Sequence, residues 1–115
     1  MNILENLTTL LANISIPFAT GHYSGVPPDE YIVIVPLADS FDLAADNRPH
    51  MDVQEARLAL YSKGNYCPTR RKITDALLAA DFTITDRRYI EFETDTEYHH
   101  SAIDVSKHYP IEEAG

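Results

Sequence analysis

Oxygen and nitrogen donors crowd one stretch of the chain, DSFDLAADNRPHMD, where Asp39, Asp42, Asp46, Asn47, His50 and Asp52 fall close together. Such a set could ligate a divalent cation or move protons. A calcium loop of the EF-hand type needs oxygen ligands at alternate positions from the first, glycine at the sixth and glutamate at the twelfth. Counted from Asp39, the third residue is Phe41, the sixth Ala44 and the twelfth His50. Counted from Asp42, the third is Ala44 and the twelfth Val53. Neither frame fits. The turn chemistry of Asn47-Arg48-Pro49 reads instead as a connection, with Arg48 pushed extended by the proline. A small cytosolic metal-binding protein or hydrolase that uses Asp39–Asp52 with His50 is the alternative reading. Thermal melting with Ca²⁺, Mn²⁺ or Zn²⁺ would test it.

The other reactive side chains are dispersed. His99 and His100 are adjacent, so on a strand they point to opposite faces and cannot chelate one ion together. No helical or strand-spaced histidine pair of zinc-site type occurs. Glu91, Glu93, Asp95 and Glu97 recur at period two, which puts them on one face of a strand. Crowded carboxylates can serve acid–base work, but the same row is the wet face of an edge hairpin that resists aggregation. Cys67 is the single cysteine. It precedes Pro68 in an N-cap-like position at a helix start, with Pro68 as the first helical residue. There is no Gly-x-Ser-x-Gly elbow and no glycine-rich phosphate loop. No catalytic set emerges, and the expectation is a protein that is not an enzyme and needs no cofactor.

The elements that carry these residues can be placed from periodicity. Ile3, Leu7, Leu10, Leu11 and Ile14 share one helical face over Asn2–Asn13, with Asn2 as cap and Glu5 completing a capping-box start. Pro17 restricts its surroundings to a strand start or edge. Tyr31–Leu37 is a β-branched strand buried on both faces, closed by Pro36. The acidic stretch then forms a loop. Over Asp52–Ser62, Ala56, Leu58 and Leu60 alternate with Glu55, Arg57 and Tyr61, a strand with one wet face. The stretch CPTRRKITDALLAAD is a helix whose buried side is Ile73, Ala76, Leu77, Leu78 and Ala80. Its Arg70, Arg71 and Lys72 sit near the N-terminus, where the macrodipole disfavours them. Two further strands, around Tyr89–Phe92 and over Tyr98–Val105, form a hairpin through Asp95-Thr96. The expected fold is α+β, a mostly antiparallel β-sheet with two α-helices packed on it. One domain spans residues 1–115, with a flexible C-terminal tail over residues 110–115.

Charge narrows the partners. The chain has 115 residues, of which 44% are apolar, and its acids outnumber its bases 18 to 9, for a net charge of −9. An acidic surface repels phosphate backbones, so specific nucleic-acid binding is not expected. The segment after Met1 lacks a basic run and carries Glu5, which argues against a secretory signal. No apolar run reaches the ~20 residues of a membrane span. One lone thiol fits a reducing compartment. A small adaptor binding a peptide along a sheet edge is a further possibility.

The order of features resembles a family of small phage and prophage proteins. In EYIVIVPLADSFDLAADNRPHMDVQEARLALYSKGNY, the strand Tyr31–Val35 leads to Ala45-Asp46-Asn47. The strand ending at Leu58–Ser62 follows, then the helix with Ile73–Leu78, then Tyr89-Ile90-Glu91 with Glu93. This arrangement is similar to tail-completion, tail-terminator and head–tail joining proteins. The resemblance implies a structural virion protein that forms a ring, commonly hexameric, in the tail or at the head–tail interface after assembly in the host cytoplasm. It implies tail-tube or connector proteins as partners, with DNA passing through the lumen and the isolated chain able to be a monomer. An acidic lumen would let DNA slide without sticking. On this reading Phe41, Asp46, Asn47, Arg48 and His50 belong to the subunit interface, and Arg70 and Arg71 reach acids of a neighbouring subunit.

Overall fold

In the structure, a computed structural model that describes residues 2–43 and 49–110, helix α1 spans Ile3–Asn13. Its first turn is closed from both sides. Asn2 Oδ1 accepts from the Glu5 N–H at 3.0 Å, and Asn2 Nδ2 donates to the Glu5 carboxylate at 3.1 Å. This varies the capping box, since the return bond comes from the side-chain amide. Ile3, Leu7, Leu10 and Leu11, one face of the helix, are buried.

Five strands follow: β1 Phe18–Thr20, β2 Glu30–Leu43, β3 Pro49–Ser62, β4 Thr83–Glu93 and β5 Tyr98–Pro110, with helix α2, Cys67–Ala79, between β3 and β4. They form one sheet in the order β1-β2-β3-β5-β4. Among the described residues only the three-residue ladder of β1 on β2 is parallel. The fold is α+β, as the patterning requires. Both helices lie on one face of the sheet. There Leu7 and Leu11 of α1 and Ile73 and Leu77 of α2 meet Leu58 and Ile103 of the two central strands in a single core. Gln54 is a buried polar residue of that layer: its Oε1 accepts from the Ile3 N–H at 2.8 Å and its Nε2 donates to Asp52 at 2.9 Å. It therefore ties the start of α1 to the sheet. Among the described residues no helix is long and apolar enough to cross a membrane.

Several expectations are corrected. Pro36 does not close its strand; β2 continues to Leu43, with a register shift between Pro36 and Ala38. β1 covers only Ile32–Ile34, so Pro36 lies on an outer edge, where a missing N–H breaks no ladder. The expected Asp39–Asp52 loop is largely strand. Asp39–Leu43 pairs with Pro49–Gln54 as the far arm of the β2–β3 hairpin, and residues 44–48 lie outside the described residues. Leu78 is 57% exposed. The buried stripe of α2 is centred on Ile73 and Leu77, and one further residue rotates Leu78 by about 100° toward solvent. Cys67 is the first residue of α2, not its cap; Tyr66 holds that position and Pro68 follows one place later than expected. The four-acid row is not continuous. Asp95 and Glu97 belong to the β4–β5 turn, where Glu97 takes a positive φ of 63°, and only Glu91 and Glu93 lie on β4. β5 runs on to Pro110, so Pro110 belongs to the sheet and not to the expected tail; residues 111–115 lie outside the described residues.

Candidate functional site

The side chains that point away from the helices build the second face of the sheet. Cross-strand pairing places Tyr31, Tyr61, His100 and Glu91 in one row across β2, β3, β5 and β4. The first three rings stand parallel. Tyr31 stacks on Tyr61 at 4.9 Å with 12° between planes, and Tyr61 on His100 at 4.4 Å with 14°. Tyr98 meets both tyrosines edge-on, at 5.4 and 6.2 Å, and Tyr23 leans on Tyr31 from the preceding loop at 4.9 Å. The Tyr98 hydroxyl donates to the Pro28 carbonyl at 2.7 Å, and the Lys63 ammonium lies 5.0 Å from the Tyr98 ring. Each aromatic pair contributes about 0.5–1.5 kcal/mol beyond its buried area. Because the rings face one another, their flat surfaces are already used, so this ladder is not a platform for stacking a sugar or a base.

Beside the ladder, Val33, Ala59 and Ala102 are buried although no helix covers them. Arg57 closes the far side with a two-pronged pair to Asp104, at 2.7 and 3.1 Å. The small apolar floor is thus walled by rings on one flank and an ion pair on the other. The hydrogen bond to Asp104 raises the Arg57 pKa above its ordinary value, against the opposing effect of burial.

Burial dominates the electrostatics of this face. Burial, reinforced by Tyr61, Tyr98 and Glu93, pushes the Tyr31 phenol up to about 12. Tyr61 is raised by burial and by Glu93 and Glu91. Phenols held this high are donors at neutral pH, not bases. His100 moves the other way: burial lowers it, while Glu93 and Glu91 pull it back up. Its Nε2 is buried with no hydrogen-bond partner among the described residues.

A second feature lies across the sheet, at the start of α2. Tyr66, Tyr89, Phe92 and His99 form an aromatic group there, with the Tyr89 hydroxyl 3.0 Å from His99 Nδ1. Ser62 and Thr69 both donate to the Glu30 carboxylate, anchoring the first turn of α2 to the strand ends. Alongside runs an open groove of about 580 Å³, lined among others by Arg70, Arg71, Asp75 and Arg87. Arg70 also lies over the Tyr66 ring, 5.5 Å from its centroid.

The expected interface residues divide accordingly. Arg70 and Arg71 share the groove, joined by Arg87 from β4. Phe41 and His50 fall on the paired arm of β2 and β3 and are described at the backbone alone. Asp46, Asn47 and Arg48 lie outside the described residues. His99 and His100 do point to opposite faces, since one touches Tyr89 and the other Tyr61. Among the described residues no group of three or more His, Cys, Asp or Glu side chains is placed to hold a metal ion. The aromatic ladder was missed because each of its rings was read as one strand residue. The available signal was that Tyr31, Tyr61 and His100 each fall out of phase with the large aliphatic residues of their own strands, Ile32 and Ile34, Leu58 and Leu60, and Ile103 and Val105.

Compared with models of protein families and with curated proteins, the chain matches none.

Proposed function

We propose that this chain is a structural virion protein of a phage or prophage: a tail-terminator, tail-completion or head–tail connector component that assembles into a ring and binds the tail tube or connector. The observation that carries the reading is the coincidence of motif order with element order. Tyr31–Val35 lies on β2, Leu58–Ser62 on β3, Ile73–Leu78 on α2 and Tyr89–Glu93 on β4, the succession that the resemblance implies. The surface chemistry agrees with assembly. Tyr89, Ile90 and Phe92 are exposed on the outermost strand, and apolar and aromatic side chains left on an outer strand suit a protein–protein contact. On this reading the carboxylates keep the assembly soluble and repel DNA rather than catalyse.

The test is genetic. Deleting the coding sequence from the phage or prophage that carries it should leave filled heads and tails that fail to join, or tails of uncontrolled length. Supplying the chain in trans should restore infectious particles. Normal particles from the deletion would contradict the proposal.

A further inference from the structure

The charges are distributed against their own interests within one molecule. Nine basic residues stand against 18 acids, so ample carboxylate is present to neutralise every cation. Yet the ion pairs among the described residues are Arg57–Asp104 and Arg88–Asp86. Arg70, Arg71, Lys72 and Arg87 make none. They gather at the first turns of α2 and the adjoining groove, where they repel one another and face the positive end of the helix dipole. Asp75 lines the same groove but is in no ion pair among the described residues.

The mirror-image feature lies on the other face of the sheet. Glu91 and Glu93 pair across β4–β5 with His100 and Tyr98, on the side away from the helices. Neither enters an ion pair among the described residues, and exposed Asp95 and Glu97 in the adjoining turn extend the acidic surface. The two patches oppose each other in sign. Because they sit on opposite faces of the sheet, they cannot meet within one chain. A head-to-tail contact between copies satisfies both patches at once, and repeated head-to-tail contacts give a ring when the rotation between copies closes.

We infer that the basic groove at the start of α2 receives the Glu91–Glu93 edge of a second copy of this chain. This rests on the ring-forming reading above and names its contact. Arg70, Arg71 and Arg87 supply the cationic side, while Glu91 and Glu93 supply the anionic side.

The experiment uses the full chain and two charge-reversed variants, Arg70→Glu/Arg71→Glu and Glu91→Arg/Glu93→Arg, followed by sedimentation velocity over a concentration series. The first variant places acids at a helix N-terminus, which favours the helix, so its melting temperature should not fall and loss of association cannot be ascribed to unfolding. The wild-type chain should associate at low ionic strength and come apart at high salt. Each variant alone should associate about tenfold more weakly or worse, since reversal converts attraction to repulsion. Mixing the two variants should restore association, because each groove then meets a partner edge of opposite charge. Variants that associate like wild type, or a mixture no better than its components, would overturn the inference while leaving the ring reading to the deletion test. A wild-type chain that is monomeric at low and high salt would overturn it too.

Discussion

Replacing His100 with phenylalanine isolates the one polar atom that the aromatic ladder fails to satisfy. The imidazole stacks on Tyr61 at 4.4 Å, and a phenyl ring can keep that contact. What the substitution removes is Nε2, buried and without a partner among the described residues. Leaving a buried polar group unsatisfied costs about 1–3 kcal/mol. Against this stands the cost of the slightly larger ring, so the net gain should be about 1 kcal/mol, or about 3–5 °C in melting temperature for a domain near this size. The gain should also depend on pH. The folded-state pKa of His100 lies below the unfolded value of 6.5. Between the two, the unfolded chain binds a proton that the folded chain does not. Stability from the neutral imidazole is therefore complete above the unfolded value and is lost as pH falls through that window. Phenylalanine has no such loss, so the gap between variant and wild type should widen on acidification. Urea titrations of both proteins from about pH 8 to about pH 5, followed by circular dichroism, measure this, and the difference cancels the other histidines. A variant less stable than wild type at neutral pH, or a gap that stays constant with pH, would refute the reasoning.

Three further outcomes follow from the geometry. Gln54→Leu orphans the buried Ile3 N–H and frees Asp52 of a bond. It should cost about 2 kcal/mol by chemical denaturation and raise amide exchange in the first turn of α1. Leu78→Lys should change stability by less than about 0.5 kcal/mol because Leu78 projects into solvent, whereas Leu77→Ala should cost about 2–5 kcal/mol. A double-mutant cycle on Arg57→Ala and Asp104→Ala should return a coupling of about 1 kcal/mol. This is the upper end for partly exposed pairs, as the two-pronged geometry warrants; zero coupling would remove the ion pair from the wall of the Val33–Ala102 floor.

The features legible in the sequence were those set by local periodicity. The face of α1, the strand over Asp52–Ser62, the β4–β5 hairpin and the opposed directions of His99 and His100 all follow from periods of 3.6 or 2. The layer arrangement follows because two one-sided helices need a sheet to cover. The misread features depend on neighbours that the local pattern does not contain. Pro36 ends a strand only where its N–H is needed, and here β1 stops before it. Leu78 has the right spacing for a broad helical stripe, but the stripe of α2 that packs is the narrow one of Ile73 and Leu77. The Glu91–Glu97 row is broken because β4 ends at Glu93 and the turn takes up Asp95 and Glu97, a strand end that the alternation of acids runs straight through. The groove needed Arg87, sixteen residues beyond Arg71, and the ladder needed three strands in register.

The role proposed for this chain is that of a ring component of a virion, joined head to tail through opposite charges. Its most direct measurement is cryo-electron microscopy of tails from particles that carry the wild-type chain. The expected result is a closed ring of this chain at one end of the tail, with Arg70 and Arg71 of each subunit against Glu91 and Glu93 of the next. Particles that lack the chain, or a ring whose subunits meet with these two patches turned to solvent, would contradict it.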